Sequence, residues 1–140
     1  MKPYTHTVQY YETDRMDCVH HSNYIRWFEE ARCWFLAEIG FSYFRMESEG
    51  ILSPVLSAEA KYHSMCRFGE SVNIDVRAEK YTGSRITFVY TITDRETGTL
   101  RCSGNTSHCF IGTNNRPVSV KKHLPQLHEI IMRYIEGLQL

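Results

Sequence analysis

Polar and apolar residues alternate from Thr5 to Thr13, with Val8 and Tyr10 set against Thr7, Gln9 and Tyr11 in a run rich in strand-forming types. This predicts a strand. The period then lengthens. Between Ser22 and Ile39, at about 100° per residue, Tyr24, Ile25, Trp27, Phe28, Ala31, Trp34, Phe35, Leu36 and Ile39 cover a wide arc, with Arg26, Glu29 and Glu30 opposite. The pattern predicts a long helix largely enclosed by other structure, with Ser22 as N-cap and Gly40 as terminator. Phe41 to Gly50 reads as a mixed connection containing a helical turn.

From Ile51 the period falls to two. Leu56, Ala58, Ala60 and Tyr62 alternate with Ser57, Glu59, Lys61 and His63. After a break at Arg67–Glu70, Val72, Ile74, Val76 and Ala78 repeat the pattern. Ile86, Phe88, Tyr90 and Ile92 follow a Thr82-Gly83-Ser84 turn, and a strand from Leu100 to Ile111 follows Glu96-Thr97-Gly98. Asn114 to Pro117 ends that run. Leu124, Leu127, Ile131, Tyr134 and Leu138 then predict a terminal helix. Strand, long helix, four strands joined by short turns and a last helix make an α+β chain with an antiparallel sheet. Residues 1–140 are expected to form a single domain, and open sheet edges make self-association the expectation.

Composition narrows the function classes. Sixteen basic and sixteen acidic residues balance to zero net charge, which argues against broad attachment to nucleic acid or an anionic membrane. Hydrophobic content of 42% suits a folded globular chain. No apolar run suggests a signal peptide or membrane span, so a cytoplasmic protein is expected. The five cysteines at 18, 33, 66, 102 and 109 lack a Cys-x-x-Cys pair and are expected to be reduced thiols.

Candidate chemistry concentrates between Asp14 and Arg32, where ionisable residues crowd the N-terminal mouth of the enclosed helix. A helix N-terminus offers unpaired N–H groups and a partial positive charge, which suits a carbonyl oxygen gaining negative charge. On spacing alone, Asp14 serves equally well as a turn carboxylate or a catalytic group. Asn23 and Tyr24 shape the helix entrance or cap and pack it. Asp14, Asp17, His20 and His21 include metal-ligand types, but adjacent histidines project differently and no distant ligand set accompanies them; no metal is expected. Glu29 and Arg32, at i and i+3, read as a helix or interface ion pair. Ser57 and His63 lack a nucleophile motif. Lys61, Arg67, Arg85 and Arg101 could meet phosphate, yet each reads singly as a solvated charge.

Asp14, then Val19-His20-His21-Ser22-Asn23-Tyr24, then Phe28-Glu29-Glu30-Ala31-Arg32 resembles the hotdog-fold acyl-CoA thioesterases. The similarity is to the branch named for 4-hydroxybenzoyl-CoA thioesterase, which includes bacterial short-chain acyl-CoA thioesterases, and it covers Thr5 to about Ile111. The resemblance implies a sheet wrapped around the central helix, and homodimers or homotetramers with active sites at subunit interfaces. It also implies that Asp14 is the catalytic carboxylate and that the His21 backbone N–H meets the thioester oxygen, with Asp17, Asn23 and Tyr24 at the substrate. One departure is Asp17, where relatives usually carry glycine. Aspartate tolerates left-handed backbone better than most residues, so the turn can survive.

The function expected is hydrolysis of a small or medium acyl thioester of coenzyme A or an acyl-carrier protein. Asp14 would act as nucleophile or general base, and no cofactor is needed beyond the coenzyme A of the substrate. The competing expectations are a hotdog hydratase or dehydratase and a non-catalytic acyl-thioester binding protein. An RNA-binding β domain has little support from a neutral chain without an aromatic-basic motif.

Overall fold

The computed structural model describes residues 1–138; the Leu138 side chain and residues 139–140 lie outside the described residues. Strands β1 (Tyr4–Thr7), β2 (Val55–Tyr62), β3 (Ser71–Glu79), β4 (Arg85–Asp94) and β5 (Leu100–Cys109) form one sheet in the order β1-β3-β4-β5-β2. Every neighbouring pair is antiparallel. Helix α1 (Ser22–Glu38) packs on the sheet, with α2 (Tyr43–Ser48), α3 (Val120–His123) and α4 (Pro125–Leu138) alongside it.

The α1 arc behaves as its pattern predicts. Tyr24, Trp27, Phe28, Ala31, Phe35 and Leu36 are buried, while Arg26, Glu29 and Glu30 are exposed. Phe28 stacks flat on Tyr90 of β4, with ring centroids 4.3 Å apart. This closeness depends on Gly104 of β5, because a Cβ there would lie 2.8 Å from the Phe28 ring and collide with the Glu59 carbonyl. Gly40, at φ +101°, ends the helix as expected, and the Phe41 N–H closes back on the Leu36 carbonyl at 3.0 Å.

Four local expectations are corrected. The first strand stops at Thr7, and Tyr10–Glu12 form a 3-10 turn. The chain turns because the Glu12 carboxylate is drawn inward, accepting from Trp27 Nε1 at 2.6 Å, the Gln9 N–H at 2.8 Å and His6 Nε2 at 2.9 Å. Burial opposes ionisation there, but the donors of Gln9, His6 and Trp27 outweigh it and hold the carboxyl below its ordinary range.

Ser22 is not the N-cap. His21 flanks the helix with helical angles (φ −56°, ψ −28°), and the Ser22 hydroxyl instead meets His20 Nδ1 at 2.9 Å. Arg32 does not pair with Glu29 among the described residues. It lies buried, donating to the hydroxyls of Tyr43 and Tyr90, each at 3.1 Å, because its position on α1 faces the sheet and not solvent. Finally, β5 ends at Cys109, and Ile111 makes only isolated bridges to Leu52 and Pro117.

β2 differs from the other long strands. Its alternation is present in the sequence, yet all its residues except Ala60 are exposed. β2 is the sheet's outer strand beyond β5, and among the described residues no strand pairs with its free edge. Among the described residues, no helix is long and apolar enough to cross a membrane.

Candidate active site

Two distant stretches meet at the N-terminal end of α1. Thr13 bridges Val19, so the residues between them form a tight loop carrying Asp14 to Cys18. The His20 N–H donates to the Glu12 carbonyl at 2.8 Å, closing the loop, and the Val19 N–H donates to the Cys66 carbonyl at 2.9 Å, which ties it to the segment after β2. Between them lies a cleft of about 270 Å³ lined by Asp14, Met16, Cys18, Val19, His21 and Tyr24 on one wall and Tyr62, His63, Ser64 and Met65 on the other.

Asp14 is half-buried. Its Oδ1 accepts the Met16 N–H at 2.8 Å, so the side chain does cap its own turn, while the residue also lines the cleft. The helical backbone at His21 leaves that residue's N–H ahead of the first complete helical turn. No acceptor pairs with it among the described residues, whereas its carbonyl receives the Tyr62 hydroxyl at 3.4 Å. The exposed His21 ring stacks on His20, with centroids 4.2 Å apart. Tyr24 is buried at the back of the cleft. Desolvation, with the Cys66 thiol beside it, pushes its phenol above the ordinary range, so it remains a neutral hydroxyl. Burial, reinforced by the charge of Asp14, likewise raises the Cys18 thiol.

The structure thus brings Asp14, His21 and Tyr24 together on one cleft. It places Asn23 behind them: the buried amide donates to the Glu12 carbonyl at 2.9 Å and the His20 carbonyl at 3.3 Å, locking the helix entrance. Asp17 stands outside the cleft lining, exposed on the turn at φ +60°, where Arg67 Nη1 donates to its carbonyl at 2.9 Å. No cluster of three or more histidine, cysteine, aspartate or glutamate side chains suited to a metal occurs among the described residues.

Cys18, Tyr62 and Met65 carry no sign of a site role in the sequence, and His63, weighed beside Ser57, lacks a nucleophile motif. Cys18 looks like any buried thiol in one dimension. The other three lie about forty positions beyond the motif, and folding brings them near it through the Val19–Cys66 tie and the Tyr62 hydroxyl on the His21 carbonyl.

A five-stranded antiparallel sheet backing a long helix is the architecture of the hotdog-fold thioesterases. The chain belongs to the Thioesterase-like superfamily, whose family model matches residues 8–127. It is 33% identical over 122 residues to Bacillus subtilis YneP, whose name proposes an acyl-CoA thioesterase; the match covers 86% of this chain and 88% of that one. The DHNA-CoA thioesterase of Staphylococcus aureus superposes with a TM-score of 0.93 at 32% identity, covering 99% of this chain and 92% of that one. Slr0204 of Synechocystis, a 1,4-dihydroxy-2-naphthoyl-CoA thioesterase, shares the fold with a TM-score of 0.83 at 19% identity, covering 94% and 95% of the two chains.

Proposed function

We propose that this protein hydrolyses acyl-CoA thioesters with a small or medium acyl group, using Asp14 as the reacting carboxylate and the His21 N–H as the donor to the carbonyl oxygen. The observation that carries the proposal is that Asp14 and His21 line one cleft, and that no acceptor pairs with the His21 N–H among the described residues. As the thioester carbon is attacked, its oxygen becomes an anion. An amide donor already in place stabilises that charge, an effect worth about 3 kcal/mol of barrier for one well-placed donor.

Asp14 can act in either of two ways. Direct attack forms an acyl–aspartyl anhydride, breaks the carbon–sulfur bond and releases the thiolate, which takes a proton from solvent; water then cleaves the anhydride and restores the carboxylate. Alternatively, Asp14 takes a proton from water, whose oxygen attacks the carbonyl carbon directly. Both routes consume one water and yield a free acid and a thiol, with coenzyme A entering only as part of the substrate. The similarity to the Staphylococcus aureus DHNA-CoA thioesterase makes the acyl group of that substrate a candidate beside short aliphatic ones.

The working unit in this proposal is a pair of chains. β2 offers a free strand edge among the described residues, and its end at Tyr62 lies on the cleft, so a second copy added there would also wall the substrate.

A thiol-release screen over aliphatic and aromatic acyl-CoA and acyl-carrier-protein substrates tests this directly. Asp14→Asn keeps an oxygen able to accept the Met16 N–H, so the turn persists while the charge is removed. Turnover is expected to fall at least a hundredfold, in the range for losing a principal catalytic group. Parental turnover in that variant overturns the assignment. Product formation without thiol release would instead indicate hydration chemistry, and binding without any turnover would indicate a carrier protein.

A further inference from the structure

The Asp14 carboxylate is held unevenly. Its Oδ1 takes both nearby donors, the Met16 N–H at 2.8 Å and the Cys18 thiol at 3.8 Å, and no donor reaches Oδ2 among the described residues. The backbone fixes the pair: the Asp14 N–H donates to the Cys18 carbonyl at 2.9 Å, and the Asp17 N–H to the Asp14 carbonyl at 3.0 Å. Cys18 is only 4% exposed, yet it borders the cleft. Its raised pKa keeps the proton on sulfur near neutral pH, so the thiol is a donor and not a competing nucleophile.

A carboxylate turns easily about its last side-chain bond, where the torsional wells are broad. One amide donor from the same turn leaves that rotation soft. A second donor converging on the same oxygen from across the loop fixes the plane and decides which oxygen stays free. We propose that Cys18 is a positioning residue: with the Met16 N–H it holds one oxygen of Asp14, so that the other, Oδ2, is the atom that attacks the thioester or takes the proton from water. This division of labour rests on Asp14 being the catalytic carboxylate. It also reconciles the two roles of Asp14, because turn capping uses one oxygen and chemistry uses the other.

A thiol that merely fills space gives a different outcome from one that donates. Cys18→Val keeps most of the volume without a donor, and Cys18→Ala removes both. If Cys18 positions Asp14, both variants lose about three- to tenfold in kcat, the scale of one weak hydrogen bond, with KM close to the parent's. A parental kcat in Cys18→Val overturns the proposal. The S–H stretching band gives a readout that needs neither substrate nor turnover. The Cys18 band, isolated as the difference between the parent and Cys18→Val infrared spectra, is expected below the frequency of free thiols and should rise in Asp14→Asn. A band at the free-thiol position that ignores Asp14→Asn overturns the proposal too. The two levels separate cleanly: full activity in Asp14→Asn removes the catalytic reading itself, whereas an inactive Asp14→Asn beside a fully active Cys18→Val removes only the role of Cys18.

Discussion

Asp17 adopts φ +60°, a left-handed backbone that glycine enters without strain and aspartate at some cost. Arg67 offsets part of that cost, with Nη1 2.9 Å from the Asp17 carbonyl and 3.6 Å from its carboxylate. Asp17→Gly keeps the carbonyl bond and loses only an exposed ion pair, an interaction worth little. The variant should therefore be more stable by about 0.5–1 kcal/mol in urea denaturation, with turnover changed no more than about threefold. Destabilisation would mean that the carboxylate does more than its exposure suggests. That aspartate can hold this turn is legible in the sequence. The role of Glu12 is not, because nothing in local spacing marks a glutamate as the buried acceptor of a tryptophan fifteen positions away. For the same reason Asn23 read as a candidate for the substrate, while its amide is spent on two carbonyls.

At the level of elements, periodicity carried the fold wherever one face of an element is buried by the chain itself. α1, β3 and β4 follow their patterns closely, since burial on one side is what produces a period of 3.6 or 2. The first strand failed this rule at Val8 to Glu12, where a side-chain acceptor pulled the backbone into a turn. Gly104 illustrates a constraint that pattern does not express: it sits inside β5, with no turn to require it, and serves the approach of Phe28. Gly104→Ala should cost about 2–3 kcal/mol, because neither a strand carbonyl nor a ring stacked on Tyr90 can easily retreat. Thermal denaturation checks this, and an unchanged midpoint would show that α1 can slide on the sheet. Combining it with Phe28→Leu should recover part of the loss by shrinking the opposing ring.

Over the whole molecule, stability should respond to acid through a residue remote from the cleft. His108 is fully buried, its Nε2 meeting the Thr106 hydroxyl at 2.8 Å and its Nδ1 without a hydrogen-bond partner among the described residues. Desolvation, aided by the buried Arg32 charge, pushes its pKa down from 6.5 to about 4. The unfolded chain therefore binds a proton before the folded one does. The contribution of the neutral ring is complete above about 6.5 and is lost as pH falls toward 4, to a limit of about 3 kcal/mol. Asp94, held down to about 2 by the Thr97 N–H and Arg101, keeps its contribution to lower pH, so the two losses occur in separate windows. Urea midpoints measured across the upper window should fall steeply in the parent and flatten in His108→Gln. Equal slopes would place the acid sensitivity elsewhere.

The bare border of β2 sets a tension between folding safety and use. An edge flanked by the exposed Val55, Leu56 and Tyr62 invites any passing extended chain, so the second copy proposed above would have to arrive sooner and hold more tightly than a misfolded one. Glu59 and Lys61, charged in mid-strand, act as gatekeepers that make a stray partner fit badly. Substitutions that neutralise them should thus betray themselves first as poor solubility during synthesis, before any change in chemistry is seen.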